Sequence, residues 1–181
     1  MKFEQTPISG AHVVRPEPVE DERGLFARVW DAEAMAALGL DARPLQCSVS
    51  YNARRGTLRG MHLQAAPHGE TKLVRCTAGA VWDVIVDVRP DSPTRGRHFA
   101  IELSQANRAM LYIPEGVAHG FQALTDGAEL YYQIGGSPYV PGAARGFRHD
   151  DPAFGIPWPL SVTSIAEKDL NWPPFDPTPA R

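Results

Sequence analysis

The sequence predicts an all-β protein with very little helix. From residue 46 onward, short apolar segments follow one another with turn residues between them. The alternation is clearest over 81–88, where Val84 and Val86 share one face and the residues between them share the other. Sixteen Gly and 17 Pro supply many turns. Short strands at this spacing are typical of an antiparallel sandwich or barrel.

The first third of the chain predicts an edge strand, a turn, a strand and one short helix, at 12–15, 21–24, 25–30 and 32–38. Asp31 is a suitable N-cap for the helix, and Gly39 a suitable stop. The strands predicted after it are 46–50, 57–64, 72–77, 81–88, 98–103, 110–113, 120–124 and 128–134. After Pro138 the sequence predicts an extended covering tail, packed through Trp158 and Trp172.

Length and charge restrict the classes of protein. A chain of 181 residues predicts one domain, and a net charge of −3 argues against a nucleic-acid binder that acts through a general basic field. Cys47 and Cys76 are too few for a disulfide framework. The first ten residues contain no apolar signal region, and no run approaches 18 apolar residues. We therefore expect a cytoplasmic protein without a membrane partner.

The stretch 54–76 contains the residue types of a proton-transfer site. It holds one imidazole at His62, a carboxylate at Glu70 and cations that include Arg59 and Lys72. An imidazole beside fixed cations can take a proton from carbon and hold the negative charge that results. A single histidine on an apolar strand is more commonly a core residue, so the stretch alone leaves both interpretations open.

Two segments together resemble the two motifs of the cupin superfamily, whose fold is a double-stranded β-helix, or jelly roll. They are 60–64, followed by Glu70, and 114–119. Metal-binding cupins usually carry His-x-His in the first motif, and Gln64 replaces its second histidine here. An amide oxygen is a poor ligand for zinc or iron. His62, His119 and Glu70 still contain the donors of a facial triad, so a metal-dependent oxygenase or isomerase stays an alternative. A sugar-binding jelly roll without activity is another.

A longer set of motifs occurs in order along nearly the whole chain. They are Asp-Glu-Arg-Gly (21–24), Gly-Thr-Leu-Arg-Gly-Met-His-Leu-Gln (56–64), Lys-Leu-Val-Arg-Cys (72–76), Asp-Val-Ile-Val-Asp-Val-Arg (83–89), Ser-Pro-Thr (92–94), Ile-Pro-Glu-Gly-Val-Ala-His-Gly-Phe (113–121), Asp-Asp-Pro (150–152), Gly-Ile-Pro-Trp-Pro (155–159) and Glu-Lys-Asp (167–169). In this order the set resembles the dTDP-4-dehydrorhamnose 3,5-epimerase family. The resemblance implies a single cupin-like jelly-roll domain over 1–181 with extended N- and C-terminal segments.

The resemblance also implies the catalytic residues. His62 would be the base, Asp169 would fix its tautomer, and Lys72 with Arg59 would stabilise the enolate. Tyr132 would reprotonate the carbon from the opposite face. Alternation places the neighbouring residue 131 on the other side of the sheet, and the resemblance alone selects Tyr132. The reaction would require no metal or organic cofactor.

The substrate implied is a nucleotide-sugar, a 4-keto-6-deoxyhexose on a nucleoside diphosphate. Most simply, the enzyme would convert dTDP-4-dehydro-6-deoxyglucose to dTDP-4-dehydrorhamnose. The resemblance assigns binding roles beyond the catalytic residues to Arg23, Gln46, Ser48, Arg59, His119, Tyr139 and Lys168. It further implies a homodimer with N-terminal strands exchanged between sheets.

The chain departs from the family where the nucleotide is expected. Gln46-Cys47-Ser48 replaces Gln-Asp-Asn, Arg28 replaces a Glu, and Ala144 replaces another Glu. Tyr139 is the candidate for stacking on the base, although the spacing around it is shifted. These differences leave open a 3- or 5-only epimerase that acts on a different nucleotide-sugar.

Overall fold

Antiparallel β-sheet dominates the computed structural model, which describes residues 1–41 and 43–176. The strands are β1 (Lys2–Gln5), β2 (His12–Arg15), β3 (Val19–Asp21), β4 (Gly24–Phe26), β5 (Gln46–Asn52), β6 (Leu58–Gln64), β7 (Glu70–Ala78), β8 (Ala80–Asp87), β9 (His98–Ser104), β10 (Met110–Ile113), β11 (Val117–Ala123), β12 (Ala128–Gly136) and β13 (Ala144–Gly146). The helices are α1 (Ala32–Ala36), α2 (Glu167–Leu170) and one 3₁₀ turn (Pro141–Ala143). The predicted all-β class with few short helices is confirmed.

Two sheets pack face to face, as in a jelly roll. The larger sheet has the strand order β1-β2-β10-β7-β12-β5, and the smaller one has the order β13-β6-β11-β8-β9. Strands β3 and β4 form a separate hairpin. Apolar side chains from the inner faces of both sheets, such as Val74, Leu130, Ile85 and Phe121, fill the space between them.

The outer faces of both sheets are also covered. On the larger sheet, Met35 of α1 packs over Val14 and Tyr112. On the smaller sheet, the C-terminal tail covers Met61 and Val84 with a cluster of aromatic rings from Phe147, Phe154, Trp158 and Phe175. The tail therefore covers the outer face of the sheet that carries His62.

The predicted strand over 25–30 is wrong beyond Phe26. Val29 and Trp30 pack against the cluster on the outer face of the larger sheet instead of pairing with a strand. Asp31 caps α1 as predicted, because its Oδ1 accepts the Ala34 N–H at 3.0 Å. The helix is shorter than predicted, and the chain leaves it through a turn that ends at Gly39, where φ is 70°.

Sequence analysis missed four short elements, namely β1, β3, β13 and α2. None has more than four residues, so none shows a periodicity that identifies it. Within residues 1–41 and 43–176, no helix is long and apolar enough to cross a membrane.

Candidate active site

One cavity of about 350 Å³ opens between the two sheets, and we call it the central cavity. Strands β5, β7 and β12 of the larger sheet form one wall, and β6 and β11 of the smaller sheet form the other. Most of the predicted site residues line it, namely Gln46, Ser48, Arg59, His62, Lys72, His119, Tyr132, Tyr139 and Lys168. The structure therefore brings together residues that are up to 122 positions apart in the sequence.

An irregularity in β6 allows both Arg59 and His62 to face this cavity. Strict alternation would place residues three apart on opposite faces of a strand. Between these two residues, β6 has three steps where β11 has two, because His62 pairs with His119 and Arg59 pairs with Phe121. This is a β-bulge. It requires glycine at Gly60, where φ is 131° and a Cβ would lie 2.6 Å from the Cα of Gly120.

His62 and Asp169 form a hydrogen-bonded pair at the wall of the cavity. The His62 Nε2 lies 2.6 Å from the Asp169 Oδ1, and Asp169 is buried. Its other oxygen accepts the Gly60 N–H at 3.3 Å. The tail reaches this position because it pairs with the start of β6, where the Leu58 N–H donates to the Ser164 carbonyl at 2.8 Å.

The ionisation of Asp169 fixes the tautomer of His62. Burial alone would raise the pKa of Asp169, but the hydrogen bond and charge of His62, together with the Gly60 N–H, lower it below 3.8. A carboxylate only accepts hydrogen bonds, so the His62 Nε2 must carry a proton. The unprotonated nitrogen of a neutral His62 is then Nδ1, which makes the imidazole a base with a fixed orientation.

Lys72 enters the cavity with its own counter-charge. Its Nζ lies 3.0 Å from the Glu70 Oε1, and each side chain is 10% exposed. The Gln64 amide lies 3.5 Å from the other oxygen of Glu70, and the Gln64 Oε1 accepts the Val140 N–H at 2.9 Å. This chain of contacts joins the lysine to the loop that carries Tyr139.

Arg59 and Lys168 provide positive charge of a different kind. Arg59 donates to the Asn52 Oδ1 at 2.9 Å and to the Tyr51 carbonyl at 3.2 Å, and both of these acceptors are neutral. Lys168 is exposed and lines the same cavity. A cation whose hydrogen-bond acceptors are neutral, such as Arg59, suits a substrate that brings its own negative charge.

Tyr132 faces His62 from the opposite sheet, beside a second histidine–aspartate pair. The His119 Nε2 donates to the Asp83 Oδ2 at 2.9 Å, and the His119 and Tyr132 rings meet edge to face, with centroids 5.9 Å apart and planes at 71°. Burial above all, and then the Asp83 carboxylate, raise the pKa of Tyr132, while Arg59 opposes the shift. The phenol therefore keeps its proton at neutral pH and can act as a proton donor.

Arg23 is the predicted binding residue that the structure places away from the central cavity. It lies on the β3–β4 hairpin, its side chain is 83% exposed, and it pairs with Asp21. Arg28 pairs with Asp31 and also lies outside the cavity. Cys47 points away from the cavity, because alternation along β5 directs Gln46 and Ser48 into it.

Three polar or aromatic residues in the lining of this cavity have positions or contacts that the sequence analysis did not assign. Gln64 was considered only as a poor metal ligand, but it joins Glu70 to the Tyr139 loop. Arg145 lies beside Ala144 at the cavity wall. Trp172 was expected only to pack the tail, yet it lies against His62, with 6.4 Å between ring centroids. No local pattern identifies Trp172, since its position depends on the fold of the tail.

The donors of the alternative metal triad have other partners. His62 pairs with Asp169, His119 with Asp83, and Glu70 with Lys72. Within the part of the chain that the structure describes, no three His, Cys, Asp or Glu side chains are grouped so as to hold a metal ion.

A family model described as dTDP-4-dehydrorhamnose 3,5-epimerase matches residues 5–177. The chain belongs to the dTDP-4-dehydrorhamnose 3,5-epimerase family. A member from Sinorhizobium fredii, named dTDP-4-dehydrorhamnose 3,5-epimerase, is 42% identical over 96% of this chain and 89% of its own length. The resemblance on which the sequence analysis rests is thus confirmed.

Two further members of the epimerase family bear on the substrate. The crystal structure of the Bacillus anthracis dTDP-4-dehydrorhamnose 3,5-epimerase, with TDP and PPi bound, has a TM-score of 0.92 and 34% identity, and covers 96% of this chain and 99% of that one. A protein from Streptomyces niveus, named dTDP-4-dehydrorhamnose 3-epimerase, is 35% identical over 94% of this chain and 82% of its own length.

Proposed function

We propose that this protein is a nucleotide-sugar 3,5-epimerase that converts dTDP-4-dehydro-6-deoxyglucose to dTDP-4-dehydrorhamnose, for dTDP-rhamnose biosynthesis. The observation that carries the proposal is the central cavity itself. In this cavity His62, which is bonded to Asp169 of the tail, lies on one sheet, and Tyr132 lies on the other, where Lys72 belongs to the neighbouring strand β7. The matches to the epimerase family support the same reaction.

The first step is removal of a proton beside the ketone. The C4 carbonyl acidifies the C–H bonds at C3 and C5, and the His62 Nδ1 takes one of these protons. The electrons of the broken C–H bond move to the carbonyl oxygen and form an enolate. Lys72 and Arg59 stabilise this oxygen electrostatically, and the largely buried position of Lys72 increases the effect.

The second step is delivery of a proton to the opposite face of the same carbon. The Tyr132 hydroxyl gives its proton to the carbon, the carbonyl re-forms, and the configuration is inverted. The protein is then left with a protonated His62 and a Tyr132 phenolate. Both return to their starting states by exchange with water, and the side chain of His62 is 35% exposed for this purpose. Every atom in this mechanism belongs to the substrate, the chain or water, so it needs no cofactor.

The diphosphate would lie beside Arg59, whose hydrogen-bond acceptors are neutral, and beside the exposed Lys168. His119, Gln46 and Ser48 would add hydrogen bonds at the wall. Tyr139 is 53% exposed where its loop meets the cavity, which suits stacking on a nucleobase. The Bacillus anthracis relative, with TDP and PPi bound, supports a thymidine nucleotide.

A 3-only epimerase is the second candidate. The Streptomyces niveus relative is named as a 3-epimerase, and Ala144 changes the wall where the family carries an acid. The two candidates use the same base and acid, so they differ only in which carbon reaches them.

Deuterium exchange measured by NMR in D₂O tests both candidates. We expect the wild-type protein to introduce solvent deuterium at C3 and at C5 of the dTDP-sugar, and His62→Ala to introduce it at neither. Deuterium at C3 alone selects the second candidate. Exchange by His62→Ala at the wild-type rate would contradict the assignment of the base. A thermal-shift comparison of dTDP-, UDP-, CDP- and GDP-sugars identifies the nucleotide.

We further propose that the protein acts as a homodimer. The β3–β4 hairpin exposes Val19 (73%) and Phe26 (79%), and the edge strand β5 exposes Val49 (64%) and Tyr51 (61%). Exposed apolar residues on an unpaired hairpin and on an edge strand favour association with a second copy. Such a dimer explains how Arg23 can serve a binding site, since it would reach the cavity of the other protomer. It needs no exchange of β1 and β2, because β2 pairs with β10 of its own chain and β1 pairs with β2.

Two broader assignments complete the proposal. We place the enzyme in the cytoplasm, because both cysteines are unpaired and reduced thiols are typical of that compartment. We also treat residues 1–181 as a single cupin-like jelly-roll domain with extended N- and C-terminal segments, because the tail supplies Lys168 and Asp169 to a cavity that the sheets build.

A further inference from the structure

Trp172 lies beside the imidazole of the proposed base, His62. The indole and imidazole rings meet edge to face, with centroids 6.4 Å apart and planes at 61°. Both rings line the central cavity. The imidazole of His62 is therefore held by a hydrogen bond at Nε2 and bordered by an aromatic ring.

The backbone opposite His62 provides the space for this indole. Gly146 of β13 pairs directly with His62 of β6. A Cβ on Gly146 would lie 2.6 Å from the Trp172 Cε2 and 2.5 Å from the Met61 carbonyl oxygen. Only glycine fits at this position. The indole of Trp172 therefore lies over the backbone of Gly146, the residue that pairs with His62.

The tail is anchored on both sides of Trp172. Asp169, three residues before it, binds His62. Phe175, three residues after it, packs against Phe147 and Phe154, with centroids 5.7 and 4.9 Å apart, and its N–H donates to the Asp151 Oδ2 at 2.6 Å. Two anchors this close leave the indole little freedom to leave the base.

The ring of Trp172, and not its polar atom, makes the contact that matters. The Nε1 is buried and has no hydrogen-bond partner among residues 1–41 and 43–176. A buried donor without a partner destabilises a protein, and phenylalanine would avoid that cost. The value of the residue must then come from its aromatic surface beside His62.

We propose that Trp172 is a positioning residue for His62. Its ring holds the imidazole in the orientation that binds Asp169 and keeps water away from that hydrogen bond. The inference deepens the proposed epimerase function and rests on it. Because Trp172 acts through His62, its loss should lower kcat and leave the KM for the nucleotide-sugar nearly unchanged.

Four proteins test this proposal by steady-state kinetics, namely wild type, Trp172→Ala, Trp172→Phe and Trp158→Ala. Trp158 is the matched control, since it also belongs to the tail but donates to the His149 carbonyl at 2.9 Å and packs away from the central cavity. We expect Trp172→Ala to lose about 10- to 100-fold in kcat, the cost of a small misplacement of a catalytic group. Trp172→Phe should keep most of the activity, and Trp158→Ala should lower Tm without lowering kcat.

A second readout needs no substrate. The proton between the His62 Nε2 and Asp169 should give a low-field ¹H NMR signal, assigned by its loss in His62→Ala. We expect the signal in wild type, Trp172→Phe and Trp158→Ala, and expect water exchange to broaden it in Trp172→Ala. If wild type shows no turnover, the epimerase proposal fails, and the NMR comparison still decides the role of Trp172.

Two results would overturn the inference. One is a Trp172→Ala protein with the wild-type kcat and an unbroadened signal. The other is a Trp172→Phe protein as impaired as Trp172→Ala, which would assign the effect to the indole N–H. Should Trp172→Ala not fold, Trp172→Leu replaces it in both assays, with the same expected direction.

Discussion

The two histidines of the central cavity differ in exposure, and the difference separates a base from a binding group. His62 has a side chain that is 35% exposed, whereas His119 is 6% exposed and pairs with the fully buried Asp83. A base must return its proton to water after each turnover, which His62 can do directly. His119 is held more firmly by Asp83 and is better suited to form a hydrogen bond with a bound substrate than to exchange protons with water.

Lys72 and Lys168 should affect different kinetic constants. Lys72→Gln keeps a donor for Glu70 but removes the charge beside the enolate, so kcat should fall by about 10²–10³. Lys168→Gln removes an exposed charge near the diphosphate, so KM should rise by about tenfold, the loss of one charged hydrogen bond. Steady-state kinetics of both variants measures this. A Lys72→Gln protein with a changed KM and an unchanged kcat would contradict the role of Lys72.

At the scale of single elements, the bulge in β6 is the feature that the site depends on most. The motif over 56–64 predicts a strand and supplies Arg59 and His62, but alternation alone separates them onto opposite faces. The extra residue in β6 brings them together. A bulge depends on the pairing partner, here β11, so the sequence of β6 alone could not predict it.

Gly60→Ala should therefore damage both stability and activity. The new methyl group would meet the Gly120 Cα at 2.6 Å, at a φ of 131° that other residues rarely adopt. We expect a loss of about 2–3 kcal/mol in the free energy of unfolding, or about 4–10 °C in Tm. Gly142→Ala is the control, because its methyl group would meet nothing within 4 Å. Equal thermal stability of the two variants would contradict this view of the bulge.

Asp87, at the end of β8, is a buried carboxylate that should make stability depend on pH. Asp87 accepts hydrogen bonds from Arg89, Ser92 and Thr94, and Arg89 also donates to the Ser9 carbonyl at 2.7 Å. Burial opposes ionisation, but these donors outweigh it and lower the pKa of Asp87 from 3.8 to about 2.

Because the folded pKa of Asp87 lies below its unfolded value, its stabilisation is complete above pH 3.8 and is lost as the pH falls towards about 2. At neutral pH it contributes about 2 kcal/mol. We expect Asp87→Asn to lower the free energy of unfolding at pH 7 and to flatten its decline below pH 4, measured by urea denaturation. If the free energy of unfolding of Asp87→Asn falls as steeply below pH 4 as that of wild type, titratable groups other than Asp87 cause the decline.

At the scale of the whole molecule, the sequence predicts the strands and motifs that follow one another along the chain. It does not predict the contacts that the fold makes between distant residues. Alternation predicts the strands, and the ordered motifs predict His62, Tyr132 and Asp169 as parts of one site. The contact of Trp172 with His62 depends on a tail that crosses the smaller sheet over Gly146. The position of Arg23 depends on the β3–β4 hairpin, whose strands pair with neither of the two large sheets of its own chain. No local pattern contains either fact.

Association of two chains should be measurable through the hairpin. We expect light scattering to give the wild-type protein twice the 19.8 kDa mass of one chain. Phe26→Asp should yield monomers with a lower kcat/KM, since Arg23 could no longer serve a second protomer. Leu38→Asp is the control, because Leu38 is an exposed apolar residue outside the hairpin and β5. A fully active wild-type monomer would contradict the proposed dimer.

The proposed mechanism requires two groups that act from opposite sheets, and Tyr132→Phe in D₂O tests this requirement most directly. His62 can still remove a proton in this variant and return a deuteron to the same face. We predict that NMR will show deuterium entering the unreacted dTDP-4-dehydro-6-deoxyglucose, with little epimerised product. Epimerisation by Tyr132→Phe at the wild-type rate would contradict the account.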